Sequence, residues 1–152
     1  MYQTLLEGHS YLRWLVLVSL LCSIYIAYKG YSQKLSFTKT ANLFRHWTAT
    51  IAHIQLLFGI LVYLQSPIVK YFWRNYKEEF QNLDASFFGI IHIALMLIAI
   101  IIVTIGSALS KRRKTDEEKF KTMLFWFLIA LVIIFIAIPW PFSPLANRPY
   151  FR

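Results

Sequence analysis

The segment SFFGIIHIALMLIAIIIVTIGSAL, residues 86–109, decides the fold of this chain. It contains no Asp, Glu, Lys or Arg, and it exceeds the roughly 20 apolar residues that a helix needs to cross a bilayer. Three more apolar segments lie at about residues 5–28, 43–64 and 122–138. Because backbone polar groups in lipid must be paired within the protein, all four segments are predicted to be transmembrane helices. The sequence therefore predicts an all-α integral membrane protein, one antiparallel four-helix bundle over residues 1–152.

The composition supports an integral membrane protein and argues against nucleic-acid binding and dithiol chemistry. Hydrophobic residues make up 58% of the chain and charged residues 15%, against roughly 25% charged residues in soluble domains. The net charge of +9 lies in short connectors between apolar segments, so it indicates membrane topology and contact with anionic lipid rather than nucleic-acid binding. The single cysteine, Cys22, excludes dithiol chemistry and is predicted to be a small buried residue.

The connectors also predict an orientation. Residues 29–45 and 111–121 lie on one side of the membrane and together carry ten basic residues, whereas the other side carries six. The excess of positive charge on cytoplasmic loops predicts that both termini lie outside, in the periplasm of a bacterial inner membrane. The first apolar segment lacks a basic region before it and a small-residue cleavage pattern after it, so it is predicted to be retained rather than cleaved.

Ionisable residues within apolar segments are the functional candidates, because burying them in lipid is costly. They are His9, Arg13, His46, His53 and His92. No acid lies in the middle of a span, which argues against a proton relay or a cation pump. His46 adjoins a basic connector and is predicted to be interfacial.

Two of these histidines are predicted to lie at the same depth in the membrane. His9 and His92 are predicted to lie roughly 8 and 9 Å below the same surface, at a rise of about 1.5 Å per residue. Their helices are the first and third of an up-down bundle and are expected to lie diagonally opposite. Two imidazoles at one depth suit the axial positions of haem b, and Arg13, one turn beyond His9, could pair with a haem propionate. This arrangement predicts a membrane cytochrome that holds haem b between His9 and His92, with His53 as the rival ligand, and exchanges electrons with quinone or a partner complex.

Other interpretations remain open. His9, His53 and His92 could form a copper or zinc site, although His53 is predicted to lie deeper, near the middle of the membrane. Histidine and aromatic residues near one membrane face would also suit a quinone head group. The histidines could instead bond neighbouring helices, and Arg13 could extend to the headgroups, in a non-catalytic subunit of a larger membrane complex.

Five motifs span nearly the whole chain, and they resemble a family of small bacterial four-helix membrane proteins labelled cytochrome b-like. The motifs are His9-Ser10-Tyr11-Leu12-Arg13-Trp14, Ala52-His53-Ile54-Gln55-Leu56-Leu57-Phe58-Gly59, Ser66-Pro67, His92 and Ile138-Pro139-Trp140-Pro141-Phe142. The chain is more loosely similar to the four-helix halves of haem A synthase. The resemblance implies His9, His53 and His92 as the haem-linked or metal-linked positions, with Arg13 beside them. Ile91 stands where the family carries an acid, so a role of that acid in proton transfer is not expected here.

Overall fold

The computed structural model describes residues 1–150, and four of its helices are long and apolar enough to cross a membrane, as the sequence predicts. Its elements in chain order are α1 (Tyr2–Ser32), α2 (Lys39–Gln65), α3 (Pro67–Arg74), α4 (Tyr76–Glu79), α5 (Leu83–Ser86), a π-helical turn (Phe87–Ile91), α6 (His92–Arg112) and α7 (Asp116–Ala137). The third span runs without interruption through α5, the π-helical turn and α6.

The four long helices form a ring. α1 packs against α2 and α7, and α6 packs against the same two helices, so α1 and α6 occupy opposite corners as predicted. The two chain ends meet at one end of this bundle, where the rings of Trp14 and Trp140 lie 5.8 Å apart. We call this end of the bundle the terminal end and the opposite one, which carries the two basic connectors, the basic end.

The helices extend further at the basic end than the hydropathy pattern predicts. α7 begins at Asp116 rather than near residue 122, because Thr115 and Glu118 form a capping box there. At the terminal end, the predicted end of the second span, near residue 64, is confirmed. α2 ends at Gln65, and Ser66 caps the next helix, which has Pro67 in its first turn.

The connector between the second and third spans lies across the terminal end. Its longest element is the amphipathic helix α3. Its Val69 and Phe72 side chains are buried, whereas Tyr71 and Trp73 are exposed. This division leaves two aromatic side chains on the outer face of α3, and Trp and Tyr are the residues generally enriched at membrane interfaces.

The exposure of two residues, Cys22 and Arg45, differs from the sequence prediction. Cys22 is exposed on α1, so its prediction as a buried residue is wrong; Leu20 and Ser23 take the inward positions beside it. Arg45, counted above with the connector charges, is 4% exposed. Its guanidinium donates to Asn42 Oδ1 within α2 and to the carbonyl and hydroxyl oxygens of Ser107, and the bonds to Ser107 join α2 to α6 at the basic end.

Candidate functional site

A cavity of about 140 Å³ opens inside the terminal end of the bundle. All four spanning helices contribute to its wall, together with α3 and the segment after α7. Most of the wall is aliphatic, and the polar side chains that reach it include His9, Arg13, Gln55, His92 and Arg148. A mostly apolar cavity with a few convergent polar groups is the usual form of a cofactor or ligand site.

His92 lies at the start of α6 with one ring nitrogen fixed. Its Nδ1 is 2.8 Å from the carbonyl oxygen of Ala137 on α7. A carbonyl oxygen only accepts hydrogen bonds, so Nδ1 carries the proton and Nε2 carries the lone pair. Histidines that bind metals are typically held in this way, by a hydrogen bond from the other ring nitrogen to a carbonyl or carboxylate.

His9, on α1, is only weakly paired. Its Nε2 lies 3.4 Å from the amide nitrogen of Gln55, which also donates to the His9 carbonyl oxygen at 3.0 Å. His9 Nδ1 is buried and has no hydrogen-bond partner among residues 1–150, and the same holds for the amide oxygen of Gln55. Buried polar groups are normally paired with protein or with ordered water, so these two atoms are polar groups of the cavity that can accept a further partner.

The two histidines lie next to each other across the bundle. Their ring centres are 6.3 Å apart and their planes are inclined by 77°. Two imidazoles on opposite sides of one metal ion, with metal–nitrogen bonds of about 2.0 Å, have ring centres about 6 Å apart. His9 and His92 thus lie side by side, at a separation that one metal ion between two imidazoles would require.

Two arginines reach the same cavity. Arg13 donates from Nη2 to Ser10 Oγ and to the carbonyl oxygen of Tyr150, and its buried Nε is unpaired within the described residues. Arg148 forms an ion pair with Asp84 at 2.6 Å, and its guanidinium lies 4.7 Å from the ring centre of Phe88. The sequence prediction placed Arg13 near His9 but did not identify Arg148.

His53 does not join this group. It is exposed on α2, where Nδ1 bonds to the Ala49 carbonyl oxygen at 2.6 Å and Nε2 lies 3.1 Å from the Thr104 hydroxyl on α6. Both ring nitrogens are therefore occupied by protein atoms. Among the residues that the structure describes, no three His, Cys, Asp or Glu side chains are grouped closely enough to hold a metal ion. The geometry gives no support to the three-histidine copper or zinc site. His46 is also exposed, close to the basic end.

The π-helical turn just before His92 was not predicted. A π-helix carries an extra residue per turn, which shifts the residues after it by about 100° relative to an uninterrupted α-helix. The hydropathy of this stretch gives no sign of it. The one relevant signal is Gly89, because the Phe72 ring occupies the space beside this residue and a Cβ there would lie 2.4 Å from Phe72 Cδ1.

Gln55 was likewise not predicted to be a functional residue. The sequence does indicate a role for it, because it is an uncharged polar residue within an otherwise apolar span, and such residues usually bond to a neighbouring helix.

No protein-family model, curated protein or solved structure matches this chain.

Proposed function

We propose that this protein is a small b-type membrane cytochrome that holds haem b between His9 and His92. The observation that carries the proposal is the pair of adjacent imidazoles in one apolar cavity, in which His92 Nε2 carries a free lone pair and His9 Nε2 has only a 3.4 Å contact to the Gln55 amide. His53 provides the contrast, because both of its nitrogens are bonded within the protein. The resemblance to cytochrome b-like proteins in the sequence points the same way.

The residues of the cavity fit such a group. The unpaired His9 Nδ1 and Arg13 Nε are buried polar atoms in an otherwise aliphatic wall, as a site for an amphiphilic cofactor requires. Arg13 and Arg148 lie on the same wall and would pair with carboxylates, since guanidinium groups match carboxylates in geometry and charge. Ile134 of α7 and Ile138, the residue directly after that helix, form part of the apolar wall.

Haem would supply one-electron redox chemistry, and the protein would decide how that chemistry is used. Histidines on both sides leave no open position for oxygen, which favours electron transfer. The Ala137 carbonyl fixes the tautomer of His92. Because the cavity lies near one membrane surface, the electron partner would be a membrane quinone or a neighbouring complex at that surface.

An absorption spectrum of the purified protein tests the proposal. We expect a reduced-minus-oxidised difference spectrum with a b-type α-band and a positive pyridine haemochrome assay, at about one haem per chain. A well-folded helical preparation that stays colourless after haem reconstitution contradicts the proposal. That outcome would favour the accessory-subunit alternative, in which the histidines only bond helices together.

A quinone head group is the second candidate, and a specific pair of atoms favours it. The amide oxygen of Gln55 needs a donor, and His9 Nδ1 needs an acceptor, because His9 Nε2 accepts from the Gln55 amide and Nδ1 therefore carries the proton. A quinol hydroxyl and a quinone carbonyl supply these two functions, whereas the face of a porphyrin supplies neither. Titration of the haem-free protein with a short-chain quinone, followed by tryptophan fluorescence, distinguishes this candidate, because Gln55→Leu should abolish the binding.

For the topology we propose that both chain ends face the periplasm of a bacterial inner membrane. The structure has the two ends on one side of the bundle, and the charge bias of the connectors supports the outer side. Alkaline phosphatase, which is active only outside the cytoplasm, should be active when fused after residue 150 and inactive when inserted between α6 and α7. The reverse pattern contradicts this orientation and places the cavity at the cytoplasmic surface.

A further inference from the structure

The turn that carries His92 into the cavity is held from outside its own helix. Tyr63, on α2, donates its hydroxyl hydrogen to the carbonyl oxygen of Gly89 at 2.7 Å. The indole Nε1 of Trp73 donates in turn to the Tyr63 hydroxyl oxygen at 2.9 Å. Gly89 lies in the middle of the π-helical turn, three residues before His92. A chain of hydrogen bonds therefore runs from the interfacial helix α3, through α2, to the segment that sets the direction of His92.

Packing reinforces this chain of bonds. The Phe72 ring of α3 is fully buried against Gly89. A Cβ at residue 89 would occupy the space that the Phe72 ring fills. Phe87, the first residue of the π-helical turn, has its ring 5.6 Å from the His92 ring. The turn is thus in contact with α3 through Gly89 and with His92 through Phe87.

We propose that Tyr63 is a positioning residue for His92. Its hydroxyl bonds to a carbonyl of the π-helical turn from outside the helix, and so favours this turn over regular α-helix. If the turn relaxed to α-helix, the residues after it would rotate by about 100°. His92 would then lose its hydrogen bond to Ala137 and face away from His9. The proposal deepens the proposed function, because it assigns a residue that aims one of the two haem ligands.

Nuclear magnetic resonance of haem-free protein labelled with ¹⁵N-histidine tests the position of His92 directly. The chain has only four histidines, and two of them, His53 and His92, carry an Nδ1 proton bonded to a backbone carbonyl. We expect both protected Nδ1–H signals in the unaltered protein. Tyr63→Phe should abolish the His92 signal and keep the His53 signal, which serves as an internal control for folding.

Tyr71→Phe is the matched control variant. It removes a tyrosine hydroxyl from the same aromatic region without touching the π-helical turn, so both signals should remain. If Tyr63→Phe keeps the His92 signal, the positioning role is overturned. If that variant does not fold, Trp73→Phe replaces it, because it removes the donor that holds the Tyr63 hydroxyl. An unchanged His92 signal in Trp73→Phe then overturns the proposal.

The haem-loaded protein gives a second readout. If His92 turns away, the haem should change from a low-spin to a high-spin absorption spectrum in Tyr63→Phe and not in Tyr71→Phe. The cytochrome proposal and the positioning role of Tyr63 can be contradicted independently of each other. An unaltered protein that binds no haem contradicts the cytochrome and leaves the resonance experiment valid, whereas an intact His92 signal in Tyr63→Phe removes only the positioning role.

Discussion

His92→Ala and His9→Ala should each abolish the low-spin b-type spectrum while leaving the helical content of the protein unchanged. Each substitution removes one of the two imidazoles that lie 6.3 Å apart in the cavity. Loss of a group that merely supports a metal ligand lowers metal affinity by roughly 10–100-fold, and loss of the ligand itself should lower haem content by at least as much. Haem content per chain and the difference spectrum are the measurements.

His53→Ala and His46→Ala are the matched controls, because they remove the other two histidines of the chain. Both side chains are exposed, and both ring nitrogens of His53 are bonded to Ala49 and Thr104. Haem content should therefore stay within the error of the unaltered protein. A loss of haem in His53→Ala equal to the loss in His92→Ala would show that the ligand pair has been assigned wrongly.

Much of this fold could be predicted from hydropathy alone. Four spans predict an up-down bundle with the first and third helices diagonally opposite, and counting residues along those two helices predicts that His9 and His92 lie at a similar depth. The same counting placed His53 deeper, which counted against it but left it as the rival ligand. It could not show that His53 is exposed, since the direction of a side chain depends on which helix face packs inward. In a membrane helix with apolar residues all round, no sequence periodicity reveals that face.

Other parts of the site could not be predicted, for physical reasons. The π-helical turn depends on tertiary contacts, from Tyr63 and Phe72, that are distant in sequence from Gly89. Arg148 follows the last span, and only the folded chain brings it back over the cavity to pair with Asp84. The predictable part of the site is therefore set by depth along a helix, and the unpredictable part by contacts between segments far apart in the chain.

Gly59→Leu should lower the haem affinity of the protein while its four helices remain folded. A Cβ at residue 59 would lie 3.1 Å from His9 Cε1, which is tighter than ordinary van der Waals contact, so a larger side chain must displace the His9 ring. Overpacking at a close contact costs about 1–3 kcal/mol, which corresponds to roughly 5–150-fold weaker binding if the cost falls on the ligand position. Titration of the haem-free protein with haem measures this change.

Gly8→Leu is the control that distinguishes displacement of the His9 ring from crowding between α1 and α2. A Cβ at residue 8 would also lie 3.1 Å from an aromatic ring, but that ring belongs to Phe58, which contributes nothing to the cavity wall. Both substitutions crowd the same interface between α1 and α2, so they should cost similar stability in thermal unfolding, whereas only Gly59→Leu should weaken haem binding strongly. Equal losses of haem affinity in the two variants would mean that the spacing of α1 and α2, rather than the position of the His9 ring, controls the site.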